Sequence, residues 1–364
     1  MNKITRYVLK EFSIPLFYCL TGFISIYVLF ELFGSFSRLS ESGMPIAVIV
    51  QYFLAYLAPH FIWLAPAALM LATLYTMWNF CRHSELVAMR ASGLGFLTIV
   101  KPILGVSIIM TIFVFYVSES YVPRYAQWAK NLRTEKFDYK KARLMENLTF
   151  RSRETGHTWT VGEIVDRNTF KDVKVVFDRS DSAARKTNIT ASEAKYLQGE
   201  WWFTDAKVQH YDEKGSEIVS PTPELDNLPF HVIVGLNERP DDIMAQNRDW
   251  KYNSVRDKFR YLRKHSNLSE DVKKEYRYDA WAGVTAPFAC IIITLFAIPA
   301  GVASGRQSVF KGILGALGMF FAFYALTIIC MILAQTGNMN PVFAAFLPGA
   351  VFLAIGARLF YKQR

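Results

Sequence analysis

The stretch Phe80-Cys81-Arg82-His83-Ser84-Glu85-Leu86-Val87-Ala88-Met89-Arg90-Ala91-Ser92-Gly93-Leu94-Gly95 holds the residue types best placed to do chemistry with a second molecule. Ser84-Glu85 opens a short helix, and Gly93 ends it, because glycine takes the left-handed backbone of a helix C-terminus without a Cβ clash. Leu86, Val87, Met89 and Arg90 give that helix an apolar side and a basic side. Such a helix can lie on a membrane surface or plug into a groove of a soluble motor, and the residues alone favour neither. Gly312, Gly315 and Gly318 recur at three-residue spacing inside an apolar run. They form no dinucleotide loop; close helix packing is the expected role, with a moving helix seam as the sharper alternative.

Catalytic constellations are absent. No Gly-x-x-x-x-Gly-Lys-[Ser/Thr] occurs, so no P-loop ATP site is expected. The six histidines, at 60, 83, 157, 210, 231 and 265, are scattered, with no His-Glu-x-x-His. No cysteine pair has metal-ligand spacing, and no Gly-x-Ser-x-Gly marks a hydrolase. The apolar runs contain no interior acid beyond Glu31, whereas a proton-coupled carrier usually needs buried carboxylates. Neither an enzyme nor a proton-driven carrier is favoured, and no cofactor or metal is expected.

The elements that must position the 80–95 segment follow from the charges. The chain has 364 residues, 52% hydrophobic, with net charge +10. Phe12–Phe30, Ser42–Cys81, Pro102–Ser118, Ala280–Gly305 and Gly312–Ala357 contain no Asp, Glu, Lys or Arg. A membrane span needs about 20 mostly apolar residues. The first, third and fourth runs hold one span each, and the last holds two, broken at Thr336–Pro341. The second holds a shallow segment near 46–58 and one span near 60–80, for a total of six. Residues 119–279 carry 27 acidic and 29 basic residues, net +2; the remaining 4 and 12 give the membrane part +8. The basic balance thus resides in loops flanking helices, as orientation signals and headgroup contacts, not in a nucleic-acid face.

Lys3, Arg6, Lys10, Arg82, Arg90, Lys101, Arg306, Lys311, Arg358, Lys362 and Arg364 all fall on one side of this arrangement, and Arg38 alone on the other. Both termini and the 80–95 loop are therefore expected in the cytoplasm, and the long insert between spans 3 and 4 outside it. No Ala-x-Ala site follows the first run, so it is expected to stay as a span.

In the insert, short alternating runs (Thr158–Val161, Asp172–Phe177, Trp201–Thr204, Phe230–Val234) are separated by turn residues at Asp178–Ser180, Leu197–Glu200 and Asp212–Gly215. They predict an antiparallel β domain of about eight strands: sandwich, jelly roll or open barrel. Helices are expected at Gln127–Lys141, at Asp249–His265, and after a cap at Asn267 or Ser269, the last running on into span 4.

The Ser84-Glu85-Leu86-Val87-Ala88-Met89-Arg90-Ala91-Ser92-Gly93 motif, set in this arrangement of three spans, an exported β domain and three spans, resembles the LptF/LptG (YjgP/YjgQ) permeases of the lipopolysaccharide exporter. Pro59 and Pro66, Pro287 through Ile298-Pro299, Asn340-Pro341 and Leu347-Pro348 match as well, and the resemblance covers essentially the whole chain. It implies an α-helical integral membrane protein with an inserted periplasmic β-jelly roll: residues 1–118 with spans 1–3 and a coupling helix near 81–93, 119–279 with the β domain and flanking helices, and 280–364 with spans 4–6.

The resemblance also implies a function: a non-catalytic inner-membrane permease that pairs with a second permease of the family on an LptB-like ATPase dimer. It would take lipopolysaccharide from the outer leaflet of the inner membrane and pass it to the jelly rolls of LptC and LptA. Arg82, Ser84, Glu85, Leu86, Met89 and Arg90 would dock in the ATPase groove, Glu85 facing a basic residue there. Spans 1 and 5, with Gly312, Gly315 and Gly318, would form the gate. Lipid A phosphates call for cations, and Arg38, Lys130, Arg133 and Lys136 are the candidates, the last three at i, i+3 and i+6 on roughly one helix face. Lysines that LptG-like relatives carry at the outer end of span 1 are replaced here by Gly34, Ser40 and Glu41. The alternatives are a membrane-anchored periplasmic sensor, or a permease for another envelope lipid or lipoprotein.

Overall fold

The computed structural model describes residues 3–134, 148–152, 155–166, 168–178, 186–211, 217–218, 230–232, 236, 238–240, 243, 250–264, 270–306 and 309–361. Six of its helices are long and apolar enough to cross a membrane. The chain divides into two compact units: Met1–Ser40, Pro45–Ala126 and Ser254–Arg364 form one, Glu41–Met44 and Gln127–Asn253 the other. The first, helical unit extends beyond the charge-free runs on both sides of the insert.

Helix α1 (Lys3–Glu41) is span 1. Its buried residues Val8, Phe12, Leu16, Glu31, Ser35 and Leu39 recur every fourth position within each half, giving a narrow seam while the other faces stay open. The segment expected to lie shallow, α2 (Ile46–Leu57), instead continues through a 3-10 turn at Ala58–His60 into α3 (Phe61–Arg82), and the three form one continuous candidate span, span 2. The turn falls at Pro59, which has no N–H to continue the α-helical ladder. The short helix α4 (Glu85–Ala91) follows, then α5 (Phe96–Tyr116), a π-helical turn at Val117–Tyr121 and α6 (Val122–Thr134), together span 3. After the insert come α7 (Val255–Lys264), then α8 (Glu270–Thr285) and α9 (Ala289–Arg306) as span 4. Helices α10 (Val309–Gln335) and α11 (Pro341–Tyr361) carry spans 5 and 6. Helix α8 does run on into span 4; the caps expected at Asn267 or Ser269 lie outside the described residues.

Span 4 is the axis of this unit. Its apolar window is 67% buried, against 11% for span 1 and 17% for span 5. One glycine explains the tight seam: a Cβ on Gly301 would stand 2.7 Å from the Met77 Cβ, so span 4 approaches span 2 where no side chain intervenes. Gly315 and Gly318 have nothing within 4 Å of an added Cβ. Among the described residues no neighbouring helix meets them at that distance, and that face of span 5 is open.

The helix expected over Asp249–His265 is shorter. Trp250–Tyr252 is a 3-10 turn and α7 starts at Val255. Two side chains fix that start. Ser254 Oγ accepts the Asp257 N–H at 3.1 Å, and the Glu119 carboxylate accepts the Val255 N–H at 2.8 Å and the Arg256 N–H at 3.3 Å. A carboxylate at a helix N-terminus satisfies donors that have no partner within the helix.

The second unit holds an antiparallel sheet: β1 (Leu148–Arg151), β2 (Thr158–Asp166), β3 (Thr169–Asp178), β4 (Lys186–Leu197), β5 (Glu200–Thr204), β6 (Lys207–Tyr211), β7 (Glu217–Ile218) and β8 (Phe230–Val232). The order is β1-β2-β3-β4-β5-β8, with β6 pairing the first half of β4 and β7 pairing β6. The β4–β5 turn is Gln198 (φ 54°) and Gly199 (φ 93°), the left-handed pair that suits a two-residue hairpin. Trp159, Phe170, Trp201 and Phe203, each fully buried, form the aromatic centre of its core.

Candidate functional site

Helix α4 connects spans 2 and 3 and is built as the spacing predicts at its C-terminus. The Gly93 N–H reaches the Arg90 carbonyl at 3.0 Å and the Leu94 N–H reaches the Met89 carbonyl at 3.3 Å, with Gly93 at φ 87°. This is a Schellman closure, and it needs a left-handed residue at position 93. At the other end Ser84 makes no side-chain cap bond; it adopts φ 56° and turns the chain from α3 into α4. Its role is in the turn.

The helix has two faces. Leu86 is 4% exposed and, with Met89 and Leu94, joins the core made by Val8 and Phe12 of span 1 and Phe80 of span 2. Leu86 is therefore an anchor into this chain's own bundle, not part of an outward docking face as expected from the motif. Arg82, Ser84 and Arg90 are exposed. So is Val87, which is 59% exposed and was not among the expected docking residues. The outward face of α4 thus combines Val87 with one cation, Arg90, while Arg82 belongs to the last turn of α3. Arg82 lies 5.1 Å from the Trp78 ring centroid, a cation–π distance that fixes its stem along span 2.

Glu85 is only partly exposed, and the reason is Tyr7. The Tyr7 hydroxyl donates to Glu85 Oε2 at 2.7 Å, while the Tyr7 ring stacks on Phe80 at 6.0 Å. A tyrosine in the second turn of a helix beginning far away in sequence gives no local signal of this pairing. Two features pointed to it in retrospect: Tyr7 sits one residue before Val8 on the packed seam, and Glu85 is the first acid after the charge-free run.

The cationic candidates separate. Lys130 and Arg133 are both exposed on α6, although each follows a buried alanine (Ala126, Ala129) by four positions. The i, i+3 spacing does place them on one outward face. Lys136 lies outside the described residues. Arg38 is exposed in the last turn of α1. It stands on the same helix as Glu31, which is 2% exposed. Its carboxyl group accepts the Ser35 hydroxyl at 2.9 Å and the Tyr52 hydroxyl at 2.7 Å, pinning the C-terminal half of span 1 to α2. At such burial the two hydroxyl donors take the place of water on the Glu31 side chain.

In the β unit Glu238 forms a second buried polar knot. It receives the Thr155 hydroxyl and lies 2.9 Å from His157 Nδ1, and its own carbonyl accepts the Trp201 indole N–H at 2.7 Å. Burial pushes the carboxyl upward, but the bonds from His157 and Thr155 outweigh it and hold Glu238 below the ordinary carboxylate range.

No curated protein matches this chain. The family model described as lipopolysaccharide export system permease LptF/LptG matches residues 6–362.

Proposed function

This chain belongs to the LptF/LptG family of lipopolysaccharide export system permeases, and from that premise we propose that it is one of two permease subunits in an ATP-driven exporter of the inner membrane. A separate LptB-like ATPase dimer hydrolyses ATP. Lipopolysaccharide enters from the outer leaflet of the inner membrane and leaves through the β domain to the jelly rolls of LptC and then LptA. Both termini and α4 face the cytoplasm, and the β unit faces the periplasm.

The observation that carries this reading is α4: a seven-residue helix, Glu85–Ala91, hinged between two spans, sunk by Leu86 into the bundle and presenting Val87 and Arg90 outward. A helix anchored on one face and free on the other can pass a push from a soluble motor to the spans it joins. A helix lying on lipid would turn Leu86 toward the bilayer instead. The wide open faces of spans 1 and 5 support the gate assignment, since a gate must meet a partner or a substrate on surfaces its own chain does not cover. On the β unit, β1 and β8 end the main strand path among the described residues, and either rim suits strand addition by a partner jelly roll.

The test is extraction of the protein in detergent from its native membrane, with mass spectrometry of co-purifying proteins and lipids. Recovery of an LptB-like ATPase, a second permease and lipid A supports the reading. A chain recovered alone, with no ATPase and no lipid, sinks it.

A further inference from the structure

Spans 1, 2 and 5 enclose a cleft of about 560 Å³, lined almost entirely by carbon: Ile14 and Tyr18 of span 1, Leu71, Tyr75 and Trp78 of span 2, and Ile313 of span 5. That volume lies within the range of about 300–1,000 Å³ typical of small-ligand sites. Ile14 and Tyr18 are 45% and 69% exposed, Tyr75 52% and Ile313 43%, so the cleft is open along one side.

Its depth and its charge specify an occupant. At about 1.5 Å per residue, the lining from Ile14 to Cys19 begins one helical turn from Lys10. The lining from Trp78 back to Leu71 begins one turn from Arg82. Both walls therefore run inward for about 15 Å from a basic residue, which is half of a hydrocarbon core of about 30 Å. Lys10 and Arg82 are both exposed, and Arg82 is held over Trp78, itself a wall of the cleft. Tyr75 and Trp78 add the aromatic groups that favour the headgroup boundary. The result is an apolar slot about 8–11 Å long, ending one leaflet's depth inward of two cations that stand a helical turn beyond its lining, with almost no polar group inside.

We infer that this cleft holds an acyl chain of an anionic glycerophospholipid from the leaflet on the basic-loop side, with Lys10 and Arg82 meeting its phosphate. The chain length matches the depth at which the slot ends and the cations match the headgroup. A zwitterionic lipid would use the slot but gain less from the rim. Assigning that leaflet to the cytoplasmic face rests on the orientation proposed above; the cleft and its charges do not. The transported lipid would enter from the opposite leaflet, so the two sites differ in depth. A lipid wedged between spans 1, 2 and 5 would set how closely the two gate helices approach.

The experiment reconstitutes the purified complex into phosphatidylcholine nanodiscs containing a phosphatidylglycerol with a mid-chain diazirine, irradiates, and maps adducts by mass spectrometry. Adducts concentrated at residues 14–19 and 71–78 are expected. Each of Lys10→Gln and Arg82→Gln should lower them about fivefold, the value of one cation near a membrane surface. Leu71→Trp should fill the slot and remove them, and Lys10→Gln, on an exposed face, keeps the test valid if that variant does not fold. Labelling no greater than with a diazirine phosphatidylcholine, or unchanged in the double Gln variant, overturns the inference. So does displacement of the probe by lipopolysaccharide but not by unlabelled phosphatidylglycerol. Labelling that persists in a complex unable to release lipopolysaccharide supports the lipid site while sinking the transport reading.

Discussion

The Tyr7 hydroxyl and the Glu85 carboxylate, 78 positions apart in the chain, are joined by a 2.7 Å hydrogen bond that ties the first turns of span 1 to the helix between spans 2 and 3. A displacement of α4 therefore reaches span 1 directly, without passing through span 2. Glu85→Ala should lower ATPase co-purification about tenfold or more, the worth of a hydrogen bond to a charged group, while the protein still inserts. Tyr7→Phe keeps the ring on Phe80 and frees Glu85. It should leave ATPase recovery intact but lower lipopolysaccharide release per ATP hydrolysed. Equal recovery of ATPase with Glu85→Ala would remove α4 from the docking role.

Lys130 and Arg133 share the exposed face of α6. If they hold lipid phosphates, reversing both to Glu should cut lipopolysaccharide photocrosslinking about tenfold or more with expression unchanged. Crosslinking equal to the parent would make this face an ordinary solvated one.

Gly301 has no room for a side chain. Gly301→Ala forces a methyl to within 2.7 Å of Met77 Cβ. Overpacking of this kind costs about 1–3 kcal/mol, so the detergent-solubilised protein should lose its monodisperse peak at a lower temperature in a thermal size-exclusion assay. Gly315→Ala, facing open space within the chain, should not shift that temperature in the isolated subunit.

Glu238 gives the β unit an acid-sensitive knot. Its folded pKa lies below the ordinary value, so the stabilisation is fully present above the unfolded value of about 4.3. It is lost as pH falls through the folded value, where the unfolded state already binds the proton. Thermal unfolding of the β unit, followed by tryptophan fluorescence in the whole protein, should fall in temperature on acidification below that point. Glu238→Gln should flatten that fall. An unchanged pH profile in the variant would show that other carboxylates control it.

Spans, strands and the end of α4 were legible because each depends on a local rule. Charge-free runs long enough to cross a bilayer appear as six helices. Alternating residues from Thr158 onward form paired strands. Gly93 closes α4: its N–H bonds the carbonyl three positions back, and the N–H of Leu94 bonds the carbonyl five positions back. Family membership was legible in the same way, from a contiguous motif and the order of elements.

What lay beyond the sequence were contacts between residues distant along it. Spacing put Leu86 on the apolar side of α4, but only packing shows that this side faces the chain's own core, turning Val87 and Arg90 outward. Spacing marked the glycines at 312–318, while within the chain the close helix approach that the structure shows is at Gly301, because a glycine's packing role depends on which helix comes opposite. Likewise Glu31 is an isolated acid until Tyr52 arrives from another helix to donate to it, and Glu85 is a solvent-facing acid until Tyr7 does the same. Periodicity determines which side of a helix is apolar; the choice of what lies against that side is made by the tertiary fold, where burial and hydrogen-bond satisfaction are decided together.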